Sequence, residues 1–526
     1  MNYKELLKNL GVDYLLVNST NKYLLEYVPI AENSSNKVTD FTGDVGDTLI
    51  SSDGKIYLFV DSRFHIQADL EVDKTKINVV KYVLGQKQDD EICLRVKPNS
   101  TIGVVASKVS QLRYEYLKAL LDTINVSIKS LDSDFFDSVE LIKSQKFEFL
   151  PISLSGKSFE EKIDEIGHNI LITNSEELSY VCNIRSFENN YSVKVDGKLL
   201  ILKDVAILFT DYLCDSNLTN IQIKPLNQFD SFISEQDDSI SFDKSTITAK
   251  DYSLIKNPVY LKSPVKQIKS IKNETEINHM KYAFEMTDKA VMATRDFIEN
   301  NDGLSEYDIA TKLEENFREF GAKSLSFSSI VAINENSALA HYNKSAKDKI
   351  LNDGDLVLID CGAYYEGGLA TDMTRVFVKG TPSELQRKVY TTVLKVFLNC
   401  FNLLVSEDMS GFDIDSLAHD TFDKCKIDGF EFSHGLGHGV GVCVHESPPN
   451  LSKNEIAKTT LVNNMVFTIE PGLYSEKYFG VRLENTCYLD NGVITSLAKM
   501  CYEKKLIDYS LLNEYEIGWL DNFQVI

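Results

Sequence analysis

A short apolar run at residues 12–18, VDYLLVN, returns 156 positions later as HNILITN at 168–174, and a serine follows each copy. Leu15, Asn18 and Ser19 correspond to Leu171, Asn174 and Ser175. A second run, KIYLFVD at 55–61, returns after 150 positions as VAILFTD at 205–211, with Leu58, Phe59 and Asp61 matched by Leu208, Phe209 and Asp211. Brief apolar runs closed by turn residues are the signature of buried strands. Two of them repeated in the same order predict one α/β module present twice. The first copy is expected over 1–145 and the second over 150–262, with Lys157–Ile166 as an early helix of the second. Residues 263–526 then form a separate domain, as expected of a 526-residue chain, which is too long for one.

The third region alternates helices and strands. Asn273 to Glu276 has the form of a capping box, and Ile277, Met280, Phe284, Val291 and Ile298 then fall on one helical face. Ser305 to Asp308 predicts the cap of a second helix running to about Phe320, before Gly321. Thr381-Pro-Ser-Glu384 predicts a third, with Pro382 at its first position. Strands are expected at 327–333, 355–360, 467–474 and 481–485. Residues 361–371 read as a hairpin turning at Gly367-Gly368, with Asp372 leading the returning strand, and the IGWLDNF segment around Trp519 as a terminal clamp.

Chemistry concentrates in this region. The stretch Phe432 to Glu446, FSHGLGHGVGVCVHE, holds three of the eight histidines, His434, His438 and His445, interleaved with glycines at 435, 437, 439 and 441. Each glycine costs a regular element roughly 0.5–1 kcal/mol against alanine, so this backbone is expected to pack close to something. The polar residues that end or interrupt apolar strands are His341, Asp360, Asp372, His438, His445, Glu470 and Glu484. Carboxylates inside such strands are costly to bury unless paired or coordinated. Four carboxylates with imidazoles suit two divalent cations, which can share a hydroxide and polarise a carbonyl.

The motifs DCGAYYEGGLATDMTR, HGLGHGVG, TIEPGLY and GVRLEN, in that order, resemble the metallopeptidases of the pita-bread fold. That group includes methionine aminopeptidases, prolidases and aminopeptidase P. HYN at 341–343, His445 in VHE, Arg482 before Leu-Glu484, SPVKQIKSIKNETEI at 263–277, DSRFHIQA at 61–68 and the tail 505–523 are most similar to three-domain aminopeptidase P. The resemblance implies an α/β chain with two creatinase-like N-terminal modules and a pita-bread catalytic domain. It implies Asp360, Asp372, His438, Glu470 and Glu484 as ligands of two metal ions, and release of an N-terminal residue when proline is second. Manganese is the expected metal, with zinc, cobalt or iron as alternatives. Glu470 is expected to handle the proton of the attacking hydroxide. His341 and His445 would hold substrate and oxyanion, His434 would stand beside the site, and Arg482 would orient a carboxylate through a bidentate pair. His65, His168, His279 and His419 are read as ordinary residues. From Asp360 to Asp372 is one position more than the usual family spacing, a difference Gly367-Gly368 is expected to absorb. Two other readings share the motifs: a prolidase restricted to dipeptides, and a non-catalytic partner-binding protein on the same fold.

Composition bounds the partners. A net charge of −23 disfavours nucleic acid and anionic membranes, which need a positive footprint. Nine cysteines scattered without a CxxC pair argue against a disulfide framework and fit a reducing cytoplasm. The N-terminus lacks the apolar core of a signal peptide, and Val389–Val405 is broken by Lys395, Asn399 and Asn402, so it reads as a buried-face helix. A homodimer is expected by analogy with the family.

Overall fold

The computed structural model describes all residues except 1, 26–27, 44, 84, 137–144, 215–219 and 343, so Asn343 of the HYN motif lies outside it. The chain forms two compact units. One comprises Met1–Gln145, Ile166–Leu178 and Val195–Pro264; the other comprises Lys146–Glu165, Ser179–Lys194 and Val265–Ile526.

In the first unit the sequence repeat becomes a repeated sheet. The N-terminal six-stranded sheet runs Ile77–Lys81, Ile56–Val60, Thr48–Ser51, Tyr14–Val17, Thr101–Val105, Ser127–Leu131. The second runs Ile221–Lys224, Ala206–Phe209, Lys198–Ile201, Ile170–Ile172, Ser239–Phe242, Asn257–Tyr260. Both show the same succession of parallel and antiparallel neighbours. The shift of 156 also relates helix Tyr3–Leu10 to helix Phe159–Ile166, and each is followed by a glycine at positive φ, Gly11 and Gly167. Only glycine takes that conformation freely, which is why it ends helices.

The polar fittings of the two sheets differ. In the first, Ser19 donates to Asp47, which also receives Arg113 at 2.6 Å, and Arg113 forks onto Asp89. In the second, Ser175 donates to Asp196, while Lys198 pairs with buried Asp251 at 2.6 Å.

The second unit holds a mixed α/β fold. Helices Glu274–Asn300 and Glu306–Glu319 precede strands Ile330–Ile333, Leu356–Cys361 and Met373–Val378. Helices Glu384–Phe401 and Gly411–Lys424 precede Gly437–Gly439, Glu446–Leu451, Val466–Ile469 and Glu484–Asp490. The strands form one antiparallel sheet. The expected apolar face of the first helix is buried at all five positions. Its cap is the box Asn273–Glu276, and Ser305 with Asp308 caps the second. The third cap differs from expectation. Ser383 is the N-cap and Glu384 the first helical residue, because Gln386 Oε1 accepts from the Ser383 amide at 2.7 Å while its Nε2 donates to the Gly354 carbonyl. The terminal segment packs as expected, with Trp519 against the core and Phe523 edge-on to Phe397, Phe401 and Tyr502. All nine cysteines are free, and among the described residues no helix is long and apolar enough to cross a membrane.

Two expected strands are each broken in two, and the breaks matter for the site. Residues 467–474 divide into Val466–Ile469 and Gly472–Tyr474 around Glu470-Pro471, where proline offers no N–H to the ladder. Residues 481–485 divide at Leu483, and the two outer pieces, Gly472–Tyr474 and Gly480–Arg482, pair with each other.

Candidate metal centre

Strand pairing brings distant carboxylates onto one face. Asp360 pairs with Thr374, and Thr374 pairs with Glu484. Directly paired residues share a sheet face, and so do residues two apart along a strand. Asp372 precedes Thr374 by two and Arg482 precedes Glu484 by two, so the same face collects both. On the neighbouring strand Thr468 takes the His438 amide on its hydroxyl at 3.1 Å, with Glu470 two positions on.

The side chains converge. The ligand atoms of Asp372, His438 and Glu484 all lie within 4.8 Å of one another. His438 Nε2 is 3.5 Å from both Asp372 Oδ2 and Glu470 Oε1. Its other nitrogen, Nδ1, lies 3.0 Å from the Gly439 carbonyl. A carbonyl only accepts, so Nδ1 donates its proton there, and Nε2, facing the carboxylates, is the nitrogen placed for a metal, the arrangement of a metal-binding histidine. Asp360 is held by Arg482 Nη2, and Glu484 Oε2 accepts from the Thr374 hydroxyl at 2.7 Å. The opposite oxygens, Asp360 Oδ1 and Glu484 Oε1, are buried without a hydrogen-bond partner.

These carboxylates strain against one another. Burial, then the neighbouring Asp360, pushes the Glu484 carboxyl up to about 8. Burial and then Glu484 push Asp372 and Glu470 well above the ordinary carboxylate range. Within the cluster the balancing cation is Arg482, itself raised well above its ordinary value against burial by Tyr474 and Asp360. Two orphaned carboxylate oxygens, an imidazole nitrogen facing the cluster and four crowded carboxyl groups fit divalent cations.

The outer residues distribute unevenly. His445 stacks its ring edge-on against His438, with centroids 4.3 Å apart. His434 Nε2 lies 2.8 Å from the Tyr474 hydroxyl, which accepts from Arg482 Nη1 at 2.6 Å. His434 is thus joined to Asp360 through Tyr474 and Arg482. Arg482 does not fork onto one carboxylate as expected. It spreads over Asp360, Tyr474 and the Thr374 hydroxyl, because the strand break at Leu483 presents three acceptors to it. His341 is half-buried in the loop between Asn334–Ala338 and Leu356–Cys361, and its role rests on the resemblance alone.

Four participants escaped sequence reasoning. Tyr474 had one readable signal, Gly472 two positions before it on the same strand face: a Cβ there would lie 2.6 Å from the Tyr474 hydroxyl. Arg375, fully buried, donates to the Glu484, Met500 and Cys501 carbonyls and so fixes the ligand strand. His279, read as ordinary, accepts the Gly367 amide at 2.8 Å, and Arg185 donates to the Gly368 carbonyl at 2.9 Å. Gly368 has a φ of 60°. The hairpin between Asp360 and Asp372 therefore turns at the expected glycines, gripped by two side chains.

The comparisons agree with this fold. Residues 278–491 match the model of metallopeptidase family M24, and residues 138–276 match the creatinase/prolidase N-terminal domain. Xaa-Pro aminopeptidase 1 of Dictyostelium discoideum is 26% identical over 98% of this chain and 90% of its own length. A probable Xaa-Pro aminopeptidase P of Laccaria bicolor is 27% identical over 99% of this chain and 88% of its own. The crystal structure of X-prolyl aminopeptidase from Caenorhabditis elegans, described as a cytosolic enzyme with a di-nuclear active site, superposes with a TM-score of 0.87 at 22% identity, over 97% of this chain and 90% of that one. The chain thus carries a creatinase/prolidase-type N-terminal domain over residues 138–276, followed by a metallopeptidase family M24 domain over residues 278–491.

Proposed function

We propose that this protein is a metal-dependent aminopeptidase that releases the N-terminal residue from peptides with proline in second position. The observation that carries this reading is the intact acidic cluster of Asp360, Asp372, His438, Glu470 and Glu484, on a chain matching named Xaa-Pro aminopeptidases over nearly its whole length. Proline lacks a backbone N–H and fixes φ, so it blocks most peptidases and calls for a dedicated site.

The five residues would hold two divalent ions, which when bound supply a nucleophile at neutral pH and polarise the scissile carbonyl. Manganese is the ion we assign, because the donors are mostly carboxylate oxygens. Glu470, beside His438, takes and returns the proton of the attacking water. Arg482 holds Asp360 aimed into the cluster. His445 and His341 meet the substrate and stabilise the charge that develops on its carbonyl oxygen, and His434 steadies Arg482 through Tyr474. The same reading assigns three domains at 1–145, 150–262 and 263–526, a homodimer, and the cytoplasm. It rests on the repeated sheet for the domains, on the cytosolic relative for the cytoplasm and on the family resemblance for the homodimer.

The deciding experiment compares Arg-Pro-Pro-type peptides, Xaa-Pro dipeptides and peptides with alanine second, with metals added back singly. Tripeptides and longer peptides with proline second should be cleaved best, and alanine-second peptides far more slowly. A strict dipeptide preference would make the protein a prolidase. No cleavage under any metal would end the enzymatic reading.

A second expectation concerns the outer histidines. His341→Ala and His445→Ala should each lower kcat by roughly 10²-fold, as lost oxyanion stabilisation does. Metal content should stay near that of the wild type, and metal loss in either variant would make that histidine a ligand.

A further inference from the structure

Lys269 and Lys272, in the segment that opens the second unit, have no part in the reaction described above. Both are buried, and both ammonium groups converge on one oxygen of a buried carboxylate. Lys272 Nζ lies 2.9 Å and Lys269 Nζ 3.2 Å from Glu446 Oε2. The other oxygen, Oε1, accepts from the backbone amides of Val442 at 2.6 Å and Cys443 at 3.4 Å. Burial alone would raise the Glu446 carboxyl; Lys269 and Lys272 overcome it and hold the group at about 2. Burying a carboxylate with two ammonium groups is expensive, and apolar side chains would fill the same space more favourably. Packing alone does not call for it.

The carboxylate shapes a loop. Glu446 pairs with Gly439, and the register slips between His438 and Gly439, so the chain from 439 to 446 folds back on itself. It wraps the Glu446 carboxylate so closely that a Cβ on Gly441 would lie 2.5 Å from it. The wrapped loop is docked in turn on the hairpin between Asp360 and Asp372. Gly441 O accepts from the Ala370 amide at 2.7 Å, and Val442 O accepts from the Tyr364 hydroxyl at 3.1 Å. His438 and His445 stand at the two ends of this loop, and its closure brings their rings to 4.3 Å.

We propose that Glu446, clamped by Lys269 and Lys272, is the positioning residue for His445. It fixes the loop that sets His445 against His438, and so places the imidazole that meets substrate. This rests on the role assigned to His445 above. The cost of misplacement is large because catalytic geometry tolerates little: a shift of about 1 Å from a remote change can cost roughly 10²-fold.

The test uses the manganese-loaded full chain. Glu446→Gln removes the charge, and Lys272→Met leaves Lys269 as partner should the first variant fold poorly. Lys272→Arg keeps the charge. Hydrogen exchange over 437–447, metal stoichiometry, and kcat and KM on a tripeptide with proline second are measured for each, alone and combined with His445→Ala. Glu446→Gln and Lys272→Met should speed exchange at Val442 and Cys443, leave metal content unchanged, and lower kcat by roughly 10-fold or more with a smaller change in KM. Lys272→Arg should retain most of the activity. In the His445→Ala background Glu446→Gln should add less than about twofold, the non-additivity expected when one residue acts through another. Independent, multiplying losses would overturn the proposal, as would unchanged exchange or metal loss in step with kcat. If the wild type cleaves no such peptide, the functional reading fails, and the exchange comparison still decides whether Glu446 orders the loop.

Discussion

Asp372→Asn should fold normally, bind less metal and lose nearly all turnover, while Thr371→Val stays active. The contrast follows from strand alternation, since a one-residue slip turns a side chain to the other face. Thr371 points away from the acidic cluster. Its hydroxyl lies 2.8 Å from that of Thr287 on the first long helix and accepts from the Ala363 amide at 2.9 Å. Asp372, the next residue, brings Oδ2 to 3.5 Å from His438 Nε2. The asparagine variant keeps the size of the side chain and loses the charge that a pair of cations needs. Wild-type turnover and metal content in Asp372→Asn would show that the register does not select the ligand.

Chelation should abolish peptidase activity, and Mn²⁺ should restore it best. Stripping should also change how stability depends on pH. In the metal-free cluster burial, then Asp360, holds the Glu484 carboxyl at about 8, and Asp372 and Glu470 are likewise raised. A raised folded-state value means that the native state keeps protons the unfolded chain has released. The associated stability is complete below the ordinary carboxylate range and is lost as pH climbs through about 8. The melting temperature of stripped protein should therefore fall between pH 5 and 8, and bound metal should flatten that fall. Parallel curves with and without metal would contradict the cluster's electrostatics, and full activity in protein shown metal-free by elemental analysis would falsify the metallopeptidase assignment.

Much of this was readable in the chain because periodicity and motif order are local properties. The matched runs at 12–18 and 168–174 became the central strands Tyr14–Val17 and Ile170–Ile172 of equivalent sheets. Carboxylates interrupting apolar runs did collect on one face. What sequence could not show depends on which side chain reaches across from elsewhere. The grip of His279 and Arg185 on Gly367-Gly368 spans 88 and 183 positions. Tyr474 joins His434 to Arg482 only because the chain breaks at Pro471 and at Leu483, and breaks of that kind look like continuous strands in a sequence.

The repeated sheets carry a hazard and its remedy. Two modules with the same strand order and similar central strands invite misassembly during folding, with a strand of one copy seated in the other. Their differing polar fittings act as keys. Lys198 pairs with Asp251 on a helix of its own module, and Asp47 with Arg113 on a helix of its own. A swapped strand would bury a charge with no counter-ion, at a cost of several kcal/mol. The divergence of these pairs is expected to disfavour the exchange of strands between two modules of the same topology.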